Sequence, residues 1–131
     1  HSRLGEFDWV ILTVPATTET DGMIGSVELA AMKPSATIIN IARGTVIDQD
    51  ALVAALSEKR IGAAFLDVTS PEPLPAEHPL WNLENAHVTM DLSGRAQDEM
   101  LTRSVERFLT NLESWRNGGP IEPKVDLLLG Y

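Results

Sequence analysis

ATIINIARGTVID, residues 36–48, is the stretch whose reading decides the fold. Its first half, 36–41, is a near-continuous apolar run with no polar alternation, and this predicts a parallel strand covered on both faces. The run passes into Ala42-Arg43-Gly44 and then into a helix start at Asp48. Ligands of open parallel sheets bind just beyond the carboxyl ends of the strands, and Arg43 stands at such an end. A guanidinium there suits a carboxylate or phosphate held by two parallel hydrogen bonds. The alternative is an arginine paired with a neighbouring acid, and this stretch alone leaves both readings open.

The same pattern repeats on either side. Residues 8–14, DWVILTV, form a first apolar strand closed by Pro15, which has no amide proton to give to a ladder. The polar loop 16–22 leads to a short helix over 26–32, with Ser26 as N-cap and Lys33-Pro34 as the stop. Asp48 caps a second helix over 49–58, whose Leu52, Val53 and Leu56 share one face. Residues 62–68, GAAFLDV, read as a third strand with Asp67 at its carboxyl end. The loop SPEPLPAEHPLWN carries four of the eight prolines and is expected to be extended, without regular structure. A short strand at 86–89 follows. A long helix is expected over 94–117, capped by Ser93 and ended by Gly118-Gly119-Pro120. Along it Leu101, Val105, Phe108, Leu112 and Trp115 repeat at four-three spacing as one apolar seam.

This alternation predicts an α/β fold, a partial Rossmann-type parallel sheet of about four strands with a long C-terminal helix. One partial nucleotide-binding domain is expected over residues 1–131: a sheet core at 1–93, the helix at 94–118 and an irregular tail at 119–131. The chain has 131 residues, enough for one domain with a real core. Its net charge of −9 argues against a sequence-independent grip on nucleic acid or on an anionic membrane surface. No cysteine is present, so neither disulfides nor thiolate chemistry enter, and a cytoplasmic setting is expected. No apolar run reaches the length of a membrane span. The sequence opens on His1-Ser2 without a methionine, which reads as an expression scar or a piece of a longer protein.

VILTVPATTETDGMIG, MKPSATIINIARGTVIDQDALVAAL, GAAFLDVTSPEPLP and EHPLW together resemble the D-isomer-specific 2-hydroxyacid dehydrogenase family, over about residues 8–94. The resemblance implies NAD or NADP as cofactor and a small 2-oxo or 2-hydroxy acid as substrate. It implies that Arg43, in the place of the family's I-A-R-G arginine, holds the substrate's carboxylate and carbonyl. Glu72, matching the glutamate of D-V-x-x-x-E-P-L, would orient the catalytic histidine; the bland alternative is a solvated loop carboxylate. Asp67 would accept from the nicotinamide carboxamide, or else bond nearby backbone. Val14, Pro15, Thr20, Ile41 and Ala42 match cofactor-lining positions, and no metal is implied.

The departure lies at the proton donor. The family reads N-x-x-x-T-P-H-x-S-G where this chain reads Asn85-Ala86-His87-Val88-Thr89-Met90-Asp91-Leu92-Ser93-Gly94, so Asp91 stands in the histidine's place. His87 is expected to be a partly buried strand histidine, and His78 a structural loop residue. Asp91 beside Glu72 would either hold a proton, since two close carboxylates cannot both ionise cheaply, or pair with Arg43 and silence the site. Two functions therefore remain: a truncated oxidoreductase of this family, or a non-catalytic oligomerising module that kept the fold. An unpaired first strand at a sheet edge further predicts a homodimer.

No G-x-G-x-x-G occurs in the 131 residues, nor an acidic residue at the expected distance after the first strand. Pyrophosphate normally rests on the amides of that glycine turn. This chain alone is therefore expected to bind NADH weakly or not at all. Calorimetric titration checks this, and a micromolar dissociation constant would overturn it.

Overall fold

The computed structural model describes residues 3–93 and 99–124. They fall into two compact units, His1–Leu92 and Ser93–Tyr131. The first is built as β1 (Trp9–Leu12), α1 (Ser26–Ala31), β2 (Thr37–Asn40), α2 (Gln49–Ser57), β3 (Ala63–Leu66) and β4 (Ala86–Val88). The four strands are parallel and lie in the order β1-β2-β3-β4, which leaves β1 on an edge as anticipated. Each strand is shorter than its apolar run. The rungs end at Leu12, Asn40, Leu66 and Val88, which stand side by side in register. Beyond that row each chain turns off into its own loop.

Consecutive right-handed crossovers in one direction place α1 and α2 on the same face of the sheet, and the two helices pack against each other. Under them lie Leu12, Ile38, Ala64 and Leu66 from the strands, with Leu29, Leu52, Ala55 and Leu56 from the helices. The other face differs from the expectation of cover on both sides. Trp9 and Ile11 of β1 are 60% and 56% exposed, and Phe65 of β3 is exposed as well. His87, expected to be partly buried, is also exposed and stacks on the Phe65 ring with centroids 4.4 Å apart. One helical layer is all that this unit carries among the described residues, so alternate strand residues face outward.

The helix ends follow local chemistry. The Asp48 Oδ1 accepts from the Ala51 amide at 3.0 Å, as a capping residue should. At α1 the cap is Gly25 and not Ser26: the Glu28 carboxylate reaches back to accept from the Gly25 amide at 3.1 Å, one half of a capping box. The proline-rich loop is not wholly irregular either, since Pro79–Asn82 winds one 3₁₀ turn whose cap is His78.

The second unit holds α3 (Met100–Arg116). Its N-cap position is Glu99; the expected start at residue 94 behind Ser93 falls on residues 94–98, which lie outside those described. The seam residues Leu101, Val105, Phe108, Leu112 and Trp115 are all exposed. Gly118, at φ +71°, ends the helix. The following segment folds back: the Ser114 hydroxyl donates to the Pro120 carbonyl at 2.6 Å, and the Asn111 amide bonds both the carbonyl and the amide of Glu122 at 3.0 Å. The expected irregular tail thus begins in ordered contact, and its remainder, from residue 125, lies outside the described residues. No helix among the described residues is long and apolar enough to cross a membrane.

Two glycines test different constraints. A Cβ on Gly44 would lie 1.9 Å from the Thr69 carbonyl oxygen, whereas one on Gly22 would meet nothing within 4 Å but would sit at φ +61°. Gly44→Ala must push two backbone segments apart and is expected to cost about 3 kcal/mol or more. Gly22→Ala carries only left-handed strain, about 1 kcal/mol. Urea denaturation of the chain checks this by midpoint at constant slope; equal losses would refute the close-approach argument.

Candidate active site

The row Leu12-Asn40-Leu66-Val88 defines one edge of the sheet, and Arg43, Asp67 and Asp91 each follow the end of a strand there. The hydrogen-bond ladder carries on for one further step, from the Ile41, Asp67 and Thr89 amides to the carbonyls of Leu12, Asn40 and Leu66. After that, side chains take over from the ladder.

Asn40 is the first of these. It is 1% exposed, and its amide serves the turn that follows: Nδ2 donates to the Arg43 carbonyl at 2.9 Å, and Oδ1 accepts from the Ala42 amide at 3.0 Å. The turn is thereby shaped from within, and Arg43 leaves it exposed, its Nη1 donating to the Ala42 carbonyl at 2.7 Å. Among the described residues Arg43 makes no ion pair, which overturns both the pairing with a neighbouring acid and the pairing with Asp91. Asn40 went unnoticed in the sequence, although a lone polar residue at the end of an apolar run was the available signal.

Asp67, 7% exposed, follows β3. Its Oδ1 accepts from the Leu92 amide at 2.9 Å and from the Thr89 hydroxyl, while its carbonyl accepts from the Asp91 amide at 2.7 Å. Asp67 thus ties the segment after β4 to the end of β3. Asp91 sits on that segment at φ 52°, a left-handed conformation that aspartate tolerates better than most residues.

Glu72 is exposed and is steadied from its own loop, its Oε1 accepting from the Thr69 amide at 2.9 Å. Asp67, Glu72 and Asp91 line a single cavity of about 380 Å³, whose apolar walls include Leu74, Trp81, Val88 and Met90. The Trp81 indole is held by the Pro75 carbonyl at 2.8 Å. Arg43 is not on the lining of this cavity. It is linked to it through Gly44, whose Cα sits against the Thr69 and Ser70 backbone.

At the end of β1, Thr20 donates its hydroxyl proton to the Pro15 carbonyl at 2.7 Å and accepts from the Thr17 amide at 2.8 Å. Val14 packs half-buried on the core. His78 is structural, as read: its Nδ1 accepts from the Leu80 amide at 3.2 Å, and its Nε2 lies 3.1 Å from the Gln49 side-chain nitrogen.

A parallel sheet with functional side chains gathered past its carboxyl edge is the arrangement of a nucleotide-binding α/β domain. The family model described as D-isomer specific 2-hydroxyacid dehydrogenase, NAD binding domain, matches residues 1–90. The chain belongs to that family. A glyoxylate/hydroxypyruvate reductase B of Yersinia enterocolitica is 51% identical over 126 residues, covering 93% of this chain and 38% of its own length. A glyoxylate reductase of Korarchaeum cryptofilum is 43% identical over 115 residues, 88% of this chain and 34% of its own. Among solved structures, the D-isomer specific 2-hydroxyacid dehydrogenase of Xanthobacter autotrophicus in complex with NADPH and MES matches with a TM-score of 0.89. It is 36% identical, over 98% of this chain and 52% of that one. D-lactate dehydrogenase with NAD+ from Lactobacillus jensenii matches at 0.81 with 30% identity, over 94% and 41%. The chain spans less than half the length of these two curated relatives.

Proposed function

We propose that this chain forms the substrate-facing half of the cofactor domain of an NAD(P)-dependent oxidoreductase that reduces a small 2-oxo acid of the glyoxylate or hydroxypyruvate class. The observation that carries the reading is the meeting of Asp67, Glu72 and Asp91 around one cavity past the carboxyl edge. Arg43, which makes no ion pair among the described residues, lies on the same edge and supports it. The residues fit a nicotinamide cofactor: Asp67 is a buried acceptor at the end of β3, Ile41 and Ala42 follow the neighbouring strand β2, and Pro15 follows β1 on the same edge of the sheet. Thr20 would act there through the Pro15 carbonyl that it holds. When bound, such a cofactor would supply the hydride. Arg43 takes the substrate carboxylate in a two-point hydrogen bond. Asp91 stands in the proton donor's position, where a proton must reach the carbonyl oxygen as it becomes a hydroxyl, and Glu72 orients that donor. A carboxyl ordinarily loses its proton well below neutrality, whereas an imidazole titrates near it, so reduction is expected to be slow with Asp91 in place.

The test joins residues 8–131 behind the first half of the Yersinia enterocolitica reductase and follows NADPH oxidation by glyoxylate or hydroxypyruvate. Asp91→His is expected to raise the rate about 10²–10⁴-fold, the usual contribution of a well-placed acid. Histidine tolerates the left-handed turn at this position as aspartate does. A folded fusion that binds NADPH and stays inert after Asp91→His would overturn the reading.

The open sheet face favours a second reading, a homodimeric module without chemistry. Trp9 and Ile11 present apolar surface on an edge strand, which recruits another chain. Light scattering is expected to return twice 14.3 kDa. Ile11→Lys should weaken the pair more than Ser57→Lys, an exposed position on α2. A monomer at high protein concentration would exclude this reading.

A further inference from the structure

Glu72 stands on a loop that is gripped from outside by one side chain. The Gln49 Nε2 donates to the Ser70 carbonyl at 2.8 Å, and its Oε1 accepts from the Ser70 amide at 3.0 Å. A side-chain amide that bonds both backbone groups of one residue behaves as a rung of sheet and fixes its own orientation by doing so. Gln49 is also the first residue of α2, a helix capped by Asp48 and seated in the core by Leu52 and Leu56. The grip therefore joins a firmly held helix to Ser70. On either side of Ser70 lie Thr69, whose amide donates to the Glu72 carboxylate, and Pro71, whose carbonyl accepts from the Thr69 hydroxyl.

We infer that Gln49 is a positioning residue: it holds the 69–72 loop so that the Glu72 carboxylate faces the cavity it shares with Asp91. Arg43 is held by a separate device, the Asn40 amide within its own turn. Those Asn40 bonds do not pass through Gln49, although Gly44 of the same turn rests on the Thr69 backbone. Loss of the Gln49 grip displaces Glu72 and leaves the carboxylate anchor in place. This inference rests on the reductase reading for its chemical meaning but not for its geometry.

The experiment has two arms. In the 131-residue chain, amide hydrogen exchange compares the unaltered protein with Gln49→Ala and Gln49→Glu. Gln49→Ala is expected to speed exchange of the Ser70 and Thr69 amides about 10-fold or more, with core amides such as Ile38 unchanged. Gln49→Glu keeps an acceptor for the Ser70 amide but has no proton for its carbonyl, and it should fall between the two. Unchanged Thr69 exchange in Gln49→Ala overturns the inference, because Thr69 reports the contact to Glu72. In the fusion carrying Asp91→His, Gln49→Ala is expected to lower kcat about 10²-fold, the cost of a small misplacement, while KM for glyoxylate stays within about twofold. A rise in KM with kcat unchanged also overturns it. Fast Ser70 and Thr69 exchange in a fusion that reduces nothing supports the Gln49 assignment and counts against the reductase reading instead.

Discussion

The contact on which the site depends is the one between Gly44 and the Thr69 carbonyl, too close for any side chain. The turn after β2 and the loop after β3 leave the sheet side by side, and parallel strands give their loops no ladder to continue. Only a residue without a Cβ lets the two backbones touch, so the position of Arg43 is set against that of Thr69 and, through it, Glu72. A second close approach, Gly62 against Ser35, plays the same part at the opposite end of β3. The core under α1 and α2 supplies most of the stability, as apolar burial does generally. The two glycine contacts decide where that stability is delivered.

Side-chain amides do the remaining work of holding loops. Asn40 binds the turn that carries Arg43, Gln49 binds the loop that carries Glu72, and in the other unit Asn111 binds Glu122. In each case one amide meets a backbone carbonyl and a backbone amide at once. The net gain per bond is modest, about 1 kcal/mol, but a buried carbonyl or amide left without a partner costs more. An amide side chain suits this task better than a carboxylate, because it both donates and accepts and brings no charge into the interior.

Much of this was legible in the sequence, and the rest was illegible for identifiable reasons. Apolar runs broken by loops of Gly, Pro and Thr pointed to four parallel strands with the first on an edge, because alternating elements with short connections admit few topologies. The Asp48 cap was readable because cap and helix are neighbours in sequence. The strand ends were not: the rung row stops where register stops, and register is a property of pairs of strands. The Gly25 cap was missed because the group that secures it, Glu28, lies inside the helix. The exposure of Ile11, Phe65 and His87 was hidden because an apolar run looks the same whether one face or both are covered. At the site, the family resemblance set Glu72 and Asp91 together through two separate motifs, and both line one cavity. Gln49 could not be read at all. Its partner is the backbone of Ser70, 21 residues further on, and a backbone carries no sequence signature.

Asp91 does more than remove a proton donor from the proposed chemistry. Arg43 makes no ion pair among the described residues, so its guanidinium remains ready for an anion, and nothing in the geometry silences it. The anion it would hold must bring its carbonyl towards a cavity lined by Asp67, Glu72 and Asp91. An imidazole in the place of Asp91 would pair with Glu72, stand neutral or positive, and attract the oxygen that receives the hydride. A carboxyl side chain there has no positive form to offer the reacting oxygen. In the proposed reaction the substitution therefore opposes reduction at the carbonyl, where an imidazole would attract the oxygen that receives the hydride. The effect acts on the step at the carbonyl and not on the grip of Arg43. On the proposed reading, a site altered in this way loses turnover before it loses its hold on a small carboxylate.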